Sequence, residues 1–156
     1  MGIKSFQGRR AKEGSKKEYD APILVSDYMS KKLITFRPEQ SILEVMEVFA
    51  KRSISGGPVL DDNGFLVGII SEADCMKQIS ESRYFNQPIM DKSVEKFMTK
   101  DVETIPDDMS IFDAAGVFHK NNRRRLPVMK NDILVGQISR KDIVVAALKL
   151  SAENWK

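Results

Sequence analysis

Apolar residues recur at Ile42, Val45, Met46 and Phe49 and stop recurring near Ser53. That spacing lays one apolar stripe along a helix. Ser41 just ahead of it, with Glu44 three residues on, predicts a capping box at its start. Ser55-Gly56-Gly57 breaks the periodicity before the Pro58 strand. Two short apolar runs, Val59–Asp61 and Phe65–Ile70, then predict a hairpin turning at Asp62-Asn63-Gly64, where Asn-Gly supplies positive φ. Ser71 opens a second helix running to about Ser82. Ahead of this block, Val25 to Met29 reads as a short helical turn and Ile34 to Phe36 as a brief strand, so the order is β-α-β-β-α.

The same succession returns. Val94 to Met98 predicts the turn, Val102 to Ile105 the strand, and Ser110 caps a helix carrying Ile111, Ala114, Ala115 and Phe118. Asn121-Asn122 ends it, since asparagine tolerates a left-handed cap. Strands Pro127–Met129 and Leu134–Ser139 follow, then a helix from Lys141 to about Leu150. Met29 and Met98 lie 69 positions apart, as do Thr35 and Thr104, Ser41 and Ser110, and Pro58 and Pro127. From Gly68 to Gly136 and from Asp74 to Asp142 the offset is 68, so one residue was lost in the second hairpin turn. The chain is a duplication. The expected fold is α+β, two β-α-β-β-α repeats packed about a pseudo-two-fold axis. The expected boundaries are 21–82 for the first repeat, 83–93 for a linker that Pro88 keeps from being helical, and 94–150 for the second. A tail at 151–156 follows, in which the fate of Trp155 stays open.

Composition changes this picture in one place. At 156 residues, with 42% hydrophobic and 30% charged, the chain can bury one good core or two small ones sharing a core. The net charge of +3 sits in residues 1–20, where Lys4, Arg9, Arg10, Lys12, Lys16 and Lys17 face Glu13, Glu18 and Asp20. The rest of the chain is neutral. Poor in apolar residues, 1–20 reads as a disordered basic tail, too weakly basic to expect a nucleic-acid partner. Cys75 is the only cysteine, which excludes an intrachain disulfide. No apolar run approaches the ~20 residues that span a bilayer, and the N-terminus lacks the apolar stretch of a signal peptide. A cytoplasmic protein without a membrane partner is expected.

The paired markers are Met29-Ser30 with Met98-Thr99, Ile54-Ser55-Gly56-Gly57-Pro58-Val59 with Arg125-Leu126-Pro127-Val128, and Ser71-x-x-Asp74 with Ser139-x-x-Asp142. Twice over and in order, they resemble a tandem CBS-domain pair, a Bateman module of the stand-alone bacterial or archaeal type, over about residues 22–150. The resemblance implies a regulatory, signal-transducing module that binds an adenine nucleotide such as AMP, ADP or ATP, or a relative such as S-adenosylmethionine, in clefts between the repeats. It also implies a homodimer, with a protein target left unidentified, and no required cofactor.

Ser-x-x-Asp has its own logic. Where a strand hands over to a helix, free N–H groups and the positive dipole end face an anion. The serine hydroxyl can donate to phosphate and the aspartate can accept from ribose. The same residues can equally form a capping box that satisfies the helix itself. For Ser41-x-x-Glu44 and Ser110-x-x-Asp113 only the capping reading is kept. For Ser71, Asp74, Ser139 and Asp142 the resemblance adds ligand contact. Arg123-Arg124-Arg125 either complements a helix end in solvent or brings guanidinium groups to a phosphate, with Arg124 and Arg125 ahead of Arg123. The first copy has Ser53-Ile54-Ser55-Gly56-Gly57 there and no cation after Arg52. Its glycine pair either lets a base approach the backbone or makes a loose bend. Thr35 and Thr104 are ligand contacts by resemblance alone, and His119 and Lys120 read as helix surface ahead of the alternative, a phosphate contact.

One histidine and one cysteine make no triad or zinc site, and no phosphate-binding glycine loop occurs. No enzyme and no metal site are expected. The leading reading is a non-catalytic sensor that binds an adenine nucleotide. The alternative is a ligand-free module that dimerises and recruits a partner.

Overall fold

Local signals set the helix starts. The Ser41 hydroxyl accepts the N–H of Glu44 at 3.3 Å, and that of Ser110 accepts the N–H of Asp113 at 3.0 Å. In the first case only the serine half of the expected box forms, and the Ser41 hydroxyl also donates to Asp91. The computed structural model describes residues 23–154. The basic segment 1–20, the Ala21-Pro22 boundary and Trp155 lie outside the described residues. A single 3-10 turn, Val25–Asp27, leads into α1 (Ile42–Arg52), β1 (Gly56–Leu60), β2 (Leu66–Ser71) and α2 (Glu72–Tyr84). A second such turn, Val94–Lys96, leads into β3 (Ile105–Pro106), α3 (Ile111–Asn121), β4 (Arg125–Lys130), β5 (Ile133–Ser139) and α4 (Arg140–Asn154). The architecture is α+β, α-β-β-α in the first copy and β-α-β-β-α in the second.

α3 ends on left-handed Asn122, φ 51°, as the asparagine pair predicts, and α1 ends at the expected Ser53, which is also left-handed, at φ 55°. α2 runs past the expected Ser82 to Tyr84, because nothing between Glu81 and Tyr84 breaks a helix. Asn86, at φ 54°, follows its end. β1 and β2 pair antiparallel, Gly56 opposite Ser71 and Val59 opposite Gly68. Their turn differs from the Asn-Gly expectation, since only Gly64 is left-handed, at φ 84°. Asp61 organises the loop, its Oδ1 accepting the N–H groups of Asn63 and Phe65 at 2.9 Å each. β3, β4 and β5 form a three-stranded sheet in that order. The expected strand Ile34–Phe36 reduces to one parallel bridge from Phe36 to Val59, with the Phe36 N–H donating to Pro58 O at 2.9 Å.

The described residues group into two compact units, the first 31–104 with 129–135, the second 23–30 with 105–128 and 136–154. Each combines the body of one repeat with the opening turn of the other. In the first, Val94 is fully buried in a cluster with Phe36, Val45, Val59 and Ile70, and Phe36 meets Phe49 edge to face at 5.7 Å. Thr99 and Ile69 exchange both backbone bonds, at 2.8 and 2.9 Å. In the second, Ser30 and Gln137 exchange the equivalent pair at 2.9 and 3.0 Å, and Val25 N–H donates to Met109 O at 2.8 Å.

Leu66-Val67-Gly68 and its copy Leu134-Val135-Gly136 serve this packing. A Cβ on Gly68 would stand 2.6 Å from Met98 Sδ and 2.9 Å from Thr99 O, and one on Gly136 would stand 2.5 Å from Met29 Sδ and 2.9 Å from Ser30 O. Each glycine is the notch that receives a methionine from the other repeat's opening turn.

Candidate functional site

β2 delivers Ser71, and β5 delivers Ser139, in extended backbone at the first turn of the next helix. In the first unit, Asp74 Oδ2 accepts the Ser71 N–H at 2.8 Å and its hydroxyl at 3.0 Å, while the Asp74 N–H donates to Ser71 Oγ at 3.3 Å. In the second, Asp142 Oδ2 accepts the Ser139 N–H at 2.8 Å and the Asp142 N–H donates to Ser139 Oγ at 3.2 Å. Both motifs therefore make the reciprocal capping bonds that [ST]-x-x-[DE] predicts without a ligand. In both, the capping bonds engage Oδ2, and Oδ1 is the second oxygen with which the carboxylate can accept from another group. All four residues are half-buried.

The segment ahead of each Pro-Val strand lies over the same junction. Ser55 O accepts the N–H of Glu72 at 2.9 Å, and Arg124 O accepts the N–H of Arg140 at 3.1 Å. The second unit thus brings together four of the expected residues, Arg124, Arg125, Ser139 and Asp142, with Arg124 exposed and Arg125 half-buried. The first brings Ser71 and Asp74 to Ser55-Gly56. Thr35 is exposed beside Phe36, which bonds to β1, and Thr104 is exposed directly ahead of β3. His119 and Lys120 are exposed at the end of α3.

Neither reading of the glycine pair describes it. Gly56 and Gly57 are strand residues of β1, and a Cβ on Gly57 would stand 2.8 Å from both Ile34 O and the Phe36 ring. The chain's own atoms fill that space. Cys75 is buried against the first junction. Burial, and then the charges of Asp74 and Glu72, push its thiol above the ordinary value of 9.0, so it stays protonated at neutral pH and is a poor nucleophile. Among the described residues no group of three His, Cys, Asp or Glu side chains could hold a metal, and no helix is long and apolar enough to cross a membrane.

Reading the motifs alone overlooked the residue after each serine. Glu72 begins α2 and Arg140 begins α4, and Lys141 follows where the first copy has Ala73. Aligning the two copies by charge rather than by apolar pattern exposes this difference.

A family model described as CBS domain matches residues 25–81 and again 94–149. MJ1232 of Methanocaldococcus jannaschii is 38% identical over 123 residues, covering 78% of this chain and only 38% of that protein. The crystal structure of CBSX2 in complex with AMP, a protein of Arabidopsis thaliana, superposes with a TM-score of 0.72 at 29% identity, over 83% of this chain and 99% of that one. The CBS domain pair of protein MJ0100, in complex with 5′-methylthioadenosine and S-adenosyl-L-methionine, superposes with a TM-score of 0.65 at 32% identity, over 82% and 98%.

Proposed function

The chain belongs to the CBS domain family as a tandem pair, and on that premise we propose that it is a non-catalytic regulatory module binding an adenine nucleotide or a relative of one. One observation carries the reading. The bond from Arg140 N–H to Arg124 O brings the backbones of two arginines together beside the Ser139–Asp142 junction, which supports phosphate-binding and ribose-binding chemistry at one helix start. The capping bonds do not compete with this role, because a carboxylate has a second oxygen to offer. Two structural relatives hold adenosine compounds, AMP in CBSX2 and 5′-methylthioadenosine with S-adenosyl-L-methionine in MJ0100. In this reading Arg124, Arg125, Ser139 and Asp142 form the principal contacts. Ser71 and Asp74 form a second set, and Thr35, beside Phe36, and Thr104, ahead of β3, add a contact each.

Thermal unfolding with AMP, ADP, ATP, 5′-methylthioadenosine and S-adenosylmethionine tests it. A ligand at about a hundred times its Kd adds ~2.7 kcal/mol, a rise of several degrees. Asp142→Ala is expected to weaken AMP binding more than Asp74→Ala does. No shift with any of the compounds removes the sensor reading.

A second reading is a ligand-free module that dimerises and recruits a protein partner. The completed capping boxes favour it, and so do Val144 and Leu148, exposed along α4. It predicts that Asp142→Ala lowers stability by ~1 kcal/mol while adenosine compounds leave the melting curve of the parent protein unmoved.

A further inference from the structure

The two junctions share a backbone and differ in charge. Because Ser55 and Arg124 accept equivalent N–H groups, at 2.9 and 3.1 Å, the residues around them occupy corresponding places, each in its own unit. Around Ser139–Asp142 those places hold Arg124, Arg125, Arg140 and Lys141. Around Ser71–Asp74 they hold Ser55, Gly56, Glu72 and Ala73. Four cations in one setting answer to a single anion in the other.

The Ser-x-x-Asp core of each junction is duplicated. Both helix starts present the same backbone donors, and both aspartates are tied through Oδ2 to their serines, with N–H distances of 2.8 Å in each. Side-chain charge is the difference between the junctions that bears on a phosphate. A phosphate monoester carries close to two negative charges at neutral pH and suits guanidinium forks. Next to Glu72 and Asp74, with none of the four cations at the corresponding positions, the same group meets like charge. An adenosine derivative that is neutral or cationic escapes that repulsion.

We infer that the pair is selective by charge, the Ser139–Asp142 junction taking a phosphorylated adenosine and the Ser71–Asp74 junction an adenosine derivative without phosphate. This rests on the adenosine-binding reading above and assigns a different ligand class to each half of it. AMP and 5′-methylthioadenosine serve as probes, differing at the 5′ position, phosphate in one and an uncharged thioether in the other.

Calorimetric titration of the full chain decides the matter. The expected result is one equivalent of AMP per chain, weakened as salt is raised, and one equivalent of 5′-methylthioadenosine that still binds to AMP-saturated protein with little salt dependence. Arg124→Ser with Arg140→Glu installs the first copy's residues at exposed positions and leaves the backbone bond between them possible. It is expected to weaken AMP about tenfold or more while 5′-methylthioadenosine keeps its affinity. The converse exchange, Ser55→Arg with Glu72→Arg, is expected to create a second AMP equivalent. Circular dichroism confirms that each variant is folded. AMP filling two equal sites in the parent protein, AMP and 5′-methylthioadenosine competing for one site, or AMP affinity unmoved by the exchanges overturns the inference and leaves adenosine binding standing. Failure of both probes to bind overturns the reading beneath it as well.

Discussion

Gly57 and Leu126 occupy corresponding positions in the two copies, as do Phe36 and Ile105. Where the first copy combines glycine with a large ring, the second combines leucine with a smaller side chain, and Phe36, Leu126 and Ile105 are all buried. The exchange conserves volume between neighbours, as close-packed interiors require. Gly57→Ala sets a Cβ at 2.8 Å from a backbone carbonyl and from the Phe36 ring. It is expected to destabilise the protein by about 1–3 kcal/mol. Gly116, in the middle of α3, has nothing within 4 Å of its missing Cβ, so Gly116→Ala is expected to stabilise by roughly 0.5–1 kcal/mol. Thermal unfolding of the two variants checks both signs. The sequence alone offered bend or ligand approach for Gly57, because a glycine reports a missing side chain without naming what occupies the space. Asp142 was equally ambiguous, since capping and ligand binding ask for the same residue at the same spacing.

Elements divide by the range of the bonds that define them. Capped helix starts, left-handed helix ends and hairpins depend on partners a few residues away, and the local sequence revealed the starts, the Asn122 end and the hairpins, though not the left-handed Ser53. The short turns Val25–Asp27 and Val94–Lys96 are different. One turn of helix is not stable alone, and each is held by the body of a distant repeat through the Ser30–Gln137 or Thr99–Ile69 bond pair and a methionine seated on a glycine. Their existence was legible in the duplicated Met-Ser and Met-Thr, but their docking was not. Gly136→Ala places a Cβ 2.9 Å from the Ser30 carbonyl, which cannot rotate away as the Met29 side chain can. Amide exchange is expected to show Ser30 and Gln137 losing protection while Thr99 and Ile69 keep theirs. Equal loss in both pairs would show that the two dockings are not independent. α4 reaches Asn154 rather than about Leu150 for a simpler reason: Ser151-Ala152-Glu153 contains no helix breaker.

At the scale of the molecule, the duplication made the fold class legible, because two copies of one pattern constrain each other's reading. Repeats and compact units are nonetheless not the same division. The opening turn of each repeat is built into the unit that holds the other's helices. Between the repeats, Tyr84, Phe85 and Met90 are exposed, a place where a protease can cut. Chymotrypsin acting after Phe85 would sever the only covalent link between the repeats while leaving both arms in place. Each fragment would still extend its first residues into the other's core, with Val25 buried in one and Val94 in the other. The cleaved protein should migrate as a single species on a native gel and separate only in denaturant. Like two people each holding the other's wrist, the halves would outlast the loss of the thread that joins them.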